Sequence, residues 1–358
     1  MRVRIKDIAE KAGVSTGTVD RVIHNRGNVA AKVKEHVEQV MTEMGYKRNI
    51  IASTLAYNKV HRIAALIFEE DDPYWHQIHL GIEKAQEATQ HYGVSIDAFF
   101  CDQSDPKMFE KLAGEILESR PDGVLVAPLF LKQGMDFLHQ CHKRDIPVVI
   151  INTQMPKARA LCYIGQDSYQ SGFIAARLLN FGMKREATVL LLNLDPGPAD
   201  AQHLVDKERG FRDYFKEVED KNIKVLSENF EQYRNRDALK KWLMLIMADH
   251  RDLAGVFVTN SRAYLLLEAL ERKYLENLVI VGFDLVMPNI KNLKSNRINF
   301  LINQNPLLQG YLGVINLVNH LILRQEVAQI QYLPLDIVVR ENCDYYTRSN
   351  VSYPAMIF

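Results

Sequence analysis

The sequence predicts a small all-α, helix-turn-helix head joined to an α/β body of two doubly wound parallel-sheet subdomains. Three observations carry that prediction. Near the N-terminus, two short amphipathic segments flank a glycine. From residue 61 onward, short apolar, β-branched runs alternate with helical stretches. Such near-continuously apolar strands are those of parallel sheets covered by helices on both faces. Finally, at roughly 100–200 residues per domain, 358 residues suit two or three domains, each burying its own core.

The head comes first. In IKDIAEKAG, Ile8, Ala9 and Ala12 share one helical face. Gly13 admits the positive φ that ends a helix. Ser15 is a good N-cap for a second helix carrying Val19, Val22 and Ile23. Ile8, Val14, Val19 and Val22 are expected to form the shared core, with Ala9 small enough for a close crossing. Two short helices across a glycine-containing turn have helix-turn-helix geometry. Residues 29–44 read as a third helix, with Val33, Val37, Val40, Met41 and Met44 inward and Gly45 as its stop.

In the body, strands are expected at 62–68, 94–100, 123–128, 147–152, 187–193, 223–229, 255–259 and 278–284, with helical segments such as 79–93 and 236–250. That is more than one small sheet needs, so two subdomains are expected. Gly165 and Asp167, just after CYIG, mark the expected first crossover. Ligands of such folds bind at the strand carboxyl ends, here in the cleft between the lobes.

The net charge is zero, with 44 basic and 44 acidic residues, but it is unevenly spread. Residues 1–62 hold 12 Lys and Arg against 6 acids, a surplus that the remainder cancels. A basic head on an acidic body points to a polyanion partner. Its opening residues are charged and lack an apolar signal core, and no run of eighteen apolar residues occurs, so neither export nor a membrane span is expected. The four cysteines are scattered without a CxxC, which suits a reducing cytoplasm.

Catalytic signatures are missing. No phosphate-cradling glycine loop, no G-x-S-x-G elbow and no nucleophile–base pair is evident, so no enzyme activity and no cofactor are expected. His76 and His79 are three apart but lack a third ligand, so no metal site is expected. Glu69, Glu70, Asp71 and Asp72 read as a solvated acidic loop, with a cation site as the alternative. Tyr74 and Trp75 could stack on a sugar ring or a base, or pack beneath their loop. Asn152, Asp167, Asn260, Asp284 and Gln304 stand at or just past strand ends. Carboxylates and amides so placed suit the paired hydroxyls of a polyol.

The run IKDIAEKAGVSTGTVDRVIHNRGNVAAKVKEHV, followed by GYKRNIIASTLA, resembles the DNA-binding head of the lactose-repressor/galactose-repressor (LacI/GalR) family. The body resembles that family too, and its tail, 332–346, resembles the closing strand. The resemblance implies a head at 1–45, a hinge helix and linker at 46–60, and a ligand-binding body of periplasmic-binding-protein type at 61–358. One subdomain would take 61–164 and 305–332, the other 165–304 and 333–358.

It also implies roles. The second helix would lie in the major groove, with Thr16, Gly17 and Arg21 at the base-reading places and Arg21 reading guanine. Gly17 has no side chain, so that place is silent. Ser15, Thr18 and Asn25 would hold phosphates. Asp20 stands where Ser is usual. In the hinge, Leu55 would wedge into the minor groove, although Arg48 replaces the usual Pro and Ser53 the usual Arg. Asn152, Asn260, Asp284 and Gln304 match ligand-binding positions. Lys207, three residues before Gly210, stands where the family has Arg, with Arg209 close by; Lys lacks the planar fork of Arg. The function implied is a homodimeric, cytoplasmic transcription regulator. It would bind near-palindromic operator DNA and sense a small molecule, taken as a carbohydrate. The alternatives are a sugar receptor without a DNA role and an enzyme on a doubly wound fold.

Overall fold

A computed structural model describes residues 3–23, 27, 29–46, 60–69, 71–183, 186–194, 201–218 and 223–347. The chain divides into two compact units, Met1–Lys59 and Val60–Phe358. Asn25, Leu55 with the rest of 47–59, and Glu70 lie outside the described residues.

The first unit contains α1 (Ile5–Ala12), α2 (Thr16–Ile23) and α3 (Ala31–Glu43). Gly13, at φ 65°, closes α1 with its N–H directed back to the carbonyls of Ala9 and Glu10. The Ser15 hydroxyl then accepts the Thr18 N–H at 3.1 Å, capping α2 as its residue type predicts. Ile8, Ala9, Ala12, Val19, Val22, Val37 and Val40 are buried together, with Val14, Val33, Met41 and Met44 packed against them.

The second unit holds two six-stranded sheets. The first runs β11-β5-β4-β3-β1-β2, all parallel, from β1 (His61–Phe68), β2 (Val94–Cys101), β3 (Gly123–Val126), β4 (Val148–Ile151), β5 (Cys162–Gly165) and β11 (Ile330–Tyr332). The second runs β12-β10-β9-β8-β6-β7, from β6 (Ala187–Asn193), β7 (Ile223–Asn229), β8 (Leu253–Val258), β9 (Val279–Phe283), β10 (Phe300–Asn303) and β12 (Asp336–Val338). Only β12 is antiparallel to its neighbour. The chain passes between sheets after β5, after β10 and after β11. Strands β5, β10, β11 and β12, which the apolar runs did not place, are three or four residues long, as are the expected β3 and β4.

Helices cover both sheets. In the first lobe these are α4 (Pro73–Thr89), α5 (Pro106–Ser119), α6 (Leu131–Lys143) and α12 (Pro306–Val318); in the second, α7 (Ser168–Gly182), α8 (Gln202–Glu217), α9 (Arg236–Asp249), α10 (Ala263–Ala269) and α11 (Met287–Lys294). A short α13 (Cys343–Thr347) closes the described chain. Helix α4 starts six residues before the predicted stretch because Asp72 caps it and Pro73 opens it. Pro306–Leu323 reaches a mean hydropathy of 1.3 over 18 residues, although Gln309, Asn316, Asn319 and His320 interrupt it. It is a core helix, packed on α4 and on β3, β4 and β5.

Each lobe has one helix pair that crosses at glycines. A Cβ on Gly81 of α4 would stand 2.0 Å from the Leu307 carbonyl oxygen, and one on Gly310 of α12 would stand 2.2 Å from that of Ile78. In the other lobe, a Cβ on Gly172 of α7 would stand 1.9 Å from the Lys207 carbonyl oxygen, and one on Gly210 of α8 2.0 Å from that of Tyr169. Behind α8, the Phe211 ring stacks on Phe257 at 5.2 Å, which in turn meets Phe283 at 5.7 Å.

Gly172→Ala must therefore push α8 away from α7, at a cost of about 1–3 kcal/mol or more. Gly114→Ala, on α5 with nothing within 4 Å of its Cβ, should be neutral or slightly stabilising. Urea unfolding of the two variants beside the unsubstituted chain measures both; equal midpoints for all three would show that the α7–α8 crossing has slack.

Candidate functional site

The strand carboxyl ends of both sheets line a small polar cavity of about 50 Å³ between the lobes. Parallel sheets put all these ends along one edge, so residues far apart in sequence meet there. The first lobe contributes Asp72, Tyr74 and Trp75 after β1, Gln103 after β2, Leu129 after β3 and Asn152 after β4. The second contributes His203 and Lys207 from α8, Asn260, Ser261 and Arg262 after β8, Asp284 after β9 and Gln304 after β10.

Asn152 and Asp284 both have φ of 64°. Asn and Asp tolerate this left-handed conformation better than other side-chain-bearing residues, and here it turns the chain sharply off the strand. The Asn152 N–H donates to Gln309 Oε1 at 3.1 Å, and its Nδ2 donates to the Tyr74 hydroxyl at 2.7 Å. Tyr74 and Trp75 are buried, edge to face at 5.1 Å, and Trp75 also meets Phe68 at 5.0 Å. Both rings are packed in the wall while still lining the cavity.

Asp284 is fully buried. Its two oxygens accept the Gln304 N–H at 3.3 Å and Gln304 Nε2 at 2.7 Å. Burial raises its pKa; the two Gln304 hydrogen bonds and the charge of Lys207 oppose that rise. Lys207 is buried too, with Nζ donating to the Thr259 carbonyl at 2.7 Å and lying 4.0 Å over the Phe283 ring. Arg209, its neighbour in sequence, instead pairs with Asp206 at 3.1 Å and lies over Tyr169. Asn260 donates to the Leu194 carbonyl at 3.0 Å and accepts the Arg262 N–H at 3.1 Å.

Asp167 does not join this group. Its carboxylate caps α7 by accepting the Gln170 N–H at 3.0 Å, and it lines a neighbouring recess with Tyr169, Arg209 and Tyr332. His203 borders both spaces, with Nδ1 3.2 Å from the Thr153 hydroxyl. Burial, helped by Lys207, pushes its pKa down to about 3.

The sequence reading missed Asp72, Gln103, His203 and Arg262. Arg262 is 5% exposed; its guanidinium donates to Asp72 Oδ2 at 2.9 Å, to Gln103 Oε1 at 3.0 Å and to the Leu194 carbonyl at 3.2 Å, and lies over the Tyr233 ring. Asp72 Oδ1 meanwhile accepts the Tyr74 N–H at 2.9 Å, capping α4. The acidic segment is thus not simply a solvated loop: Asp72 faces inward, and Glu69 pairs with Arg234 across the cleft rim at 3.1 Å. The Asp-Pro pair was a legible signal for a helix start. An Arg two residues past the strand-end Asn260 was a fainter one.

His79 meets Phe100 edge to face at 5.0 Å. Among the described residues no group of three His, Cys, Asp or Glu side chains is placed to hold a metal ion. In the head, Ser15, Thr16 and Gly17 are exposed at the N-terminal end of α2 and Arg21 is exposed in its last turn, with Thr18 half-buried. The bare Gly17 leaves room beside the Arg21 guanidinium, which lies 4.0 Å from where a Cβ would stand.

The buried ionisable groups set opposite pH slopes. His203 stays neutral in the folded chain, whereas the unfolded chain protonates it below about 6.5. Its contribution is full above about 6.5 and is lost as pH falls toward about 3. The raised pKa of Asp284 acts in the other sense, weakening the fold as pH rises above the ordinary carboxylate range. His203→Gln should therefore flatten the acid-side fall of the melting temperature, and Asp284→Asn should steepen it. Melting curves between about pH 7 and about pH 4 check both; parallel slopes in all three proteins would contradict a buried neutral imidazole.

Comparison with known proteins agrees with this architecture. Residues 63–325 match the family model described as periplasmic binding protein domain, and residues 4–49 match that of bacterial regulatory proteins, lacI family. The chain is 26% identical over 221 residues to the HTH-type transcriptional regulator DegA of Bacillus subtilis, covering 61% of this chain and 62% of DegA. It is 28% identical over 177 residues to the HTH-type transcriptional repressor PurR of Pasteurella multocida, covering 49% of this chain and 51% of PurR. The matches thus span about half to three-fifths of these relatives. Among solved structures, a protein from Bacteroides fragilis described as a LacI transcriptional regulator superposes with a TM-score of 0.73 at 29% identity, over 80% of this chain and all of that one. A solute-binding protein of an ABC transporter from Agrobacterium vitis, bound with α-D-tagatopyranose, superposes with a TM-score of 0.69 at 25% identity, over 79% of this chain and 95% of that one. The chain belongs to the periplasmic binding protein domain family, and it carries a lacI-family regulatory domain at its head.

Proposed function

We propose that the chain is a ligand-responsive transcription regulator. It binds near-palindromic operator DNA as a homodimer in the cytoplasm and senses a carbohydrate in the cleft of its body. The observation that carries this reading is the presence, on one chain, of a capped helix-turn-helix with exposed polar residues on α2 and a two-lobed body with a polar interlobe cavity. The sugar bound by the similar solute-binding protein supports the ligand class. One head reads too few base pairs for useful specificity, which favours a dimer on paired half-sites. Cleft closure around an effector and DNA binding are then coupled in free energy, reciprocally, on a scale of about 1–3 kcal/mol. A sugar receptor with no DNA role would leave the basic, helix-turn-helix head unexplained.

Mobility shift of the full chain on the DNA upstream of its own gene, with and without sugars, tests the whole reading. Retarded DNA whose retardation changes with one sugar supports it; no retardation on any such DNA overturns it. Within that assay, Arg21→Ala should relax base preference at one operator position and cost about 1–3 kcal/mol there. A uniform weakening on all sequences would reduce Arg21 to a phosphate contact. Asp284→Asn keeps a residue suited to φ of 64° while removing the carboxylate. It should weaken effector affinity roughly tenfold or more, as expected for a hydrogen bond to a charged group, and leave effector-free operator affinity nearly unchanged. An undiminished response in that variant would move the effector site elsewhere.

A further inference from the structure

Resting on the carbohydrate reading of the cleft, we propose that the site selects an uncharged polyol and rejects its phosphorylated or carboxylated forms, with Asp72 and Arg262 as the specificity pair. The argument is one of charge balance in a desolvated space. Two cations line the cavity, Arg262 and Lys207, and two carboxylates, Asp72 and Asp284. All four are largely buried. Arg262 already serves Asp72, Gln103 and the Leu194 carbonyl. Lys207 serves the Thr259 carbonyl and the Phe283 face. His203 adds no positive charge near neutrality, since burial and Lys207 hold it neutral. An entering phosphate or carboxylate would have to compete with Asp72 for Arg262 and with the Thr259 carbonyl for Lys207, beside the buried carboxyl group of Asp284, and a buried charge with incomplete pairing is unfavourable.

Turning Arg262 toward such an anion would not help. It would strip Asp72 of its partner, leaving a second carboxylate exposed to the first across the same cavity. The pair also spans the cleft, because Asp72 caps α4 in the first lobe and Arg262 follows β8 in the second. An anion would therefore disturb lobe closure as well as charge.

A neutral polyol meets neither obstacle. A carboxylate has about four acceptor positions, and Asp284 uses two of them on Gln304. Its remaining capacity, and that of Asn152 Oδ1, call for hydroxyl donors. Trp75 and Leu129 offer apolar surface to the C–H face of a sugar ring.

The test uses the full chain and titration calorimetry. The probes are D-ribose, D-xylose, D-glucose, D-galactose and D-tagatose, together with their terminal phosphate monoesters and the uronic acids of the aldohexoses. At least one neutral sugar should bind, with its phosphate or uronate at least tenfold weaker. Asp72→Asn keeps an equally good helix cap and the same shape but releases Arg262 from its counter-charge. In that variant the gap between neutral and anionic forms should narrow tenfold or more; Asp72→Ser, which also retains a capping oxygen, serves as the second variant. A phosphate or uronate that binds the unsubstituted chain as tightly as its neutral parent overturns the proposal while leaving the carbohydrate reading intact. An unchanged gap in folded Asp72 variants overturns the role of the pair. If no carbohydrate of either kind binds, the carbohydrate reading itself falls, and this proposal with it.

Discussion

The body depends on one ion pair that crosses its cleft. Arg262 and Asp72 are 190 positions apart in the chain and 2.9 Å apart in space, and both are largely withdrawn from water. The guanidinium fork reaches a carboxylate, an amide oxygen and a main-chain carbonyl, while the Asp72 carboxylate divides its oxygens between Arg262 and the first turn of α4. Removing either partner of such a pair leaves a buried charge uncompensated, at a cost of about 3–5 kcal/mol. The Glu69–Arg234 pair at the rim also crosses the cleft, but Arg234 is mostly exposed there, and such pairs add little. Further hydrogen bonds cross the cleft from Gln77 to the Leu285 carbonyl and between Thr153 and His203, so polar contacts join the lobes at several points.

Behind the cleft, the glycine crossings do the opposite work. They bring α4 onto α12 and α7 onto α8 at backbone contact, where no side chain can adjust. In the second lobe the carbonyl at that crossing belongs to Lys207, so the same close approach that packs the lobe also sets the main chain from which Lys207 reaches into the cavity. His203 lies one helical turn earlier on the same face of α8, which is why both residues reach the cleft together. Each lobe is stiff where its helices cross and exchangeable where it faces its partner.

Much of this was legible in the sequence, for physical reasons. A parallel strand must end before its helix begins, so an apolar run followed by Asn or Asp marks a cleft position; Asn152, Asn260 and Asp284 end such runs, whereas Gln304 was legible only through the family resemblance. The head was legible because Gly13 and Ser15 act on their immediate neighbours. The rest was not. Nothing local tells which carboxylate of a Glu-Glu-Asp-Asp segment turns inward, because the partner that holds Asp72 lies in the other lobe. Asp167 sits at the expected crossover, yet the first turn of α7 takes its carboxylate, a competition between capping and ligand binding that spacing alone does not resolve.

The crossovers show how a cleft residue acquires reach. Gln304 occupies the crossover after β10, and Gln166 that after β5. Gln166 Nε2 donates to Gln304 Oε1 at 2.6 Å, and Gln304 Nε2 donates to Asp284 at 2.7 Å. Both glutamines are almost fully buried, so neither amide has bulk water as an alternative partner. Buried amides of this kind are costly to leave unpaired. The Gln166–Gln304 bond joins two of the three segments by which the chain passes between the sheets. A hydrogen-bonded series of three side chains thus runs from the cavity carboxyl group to two of these crossovers.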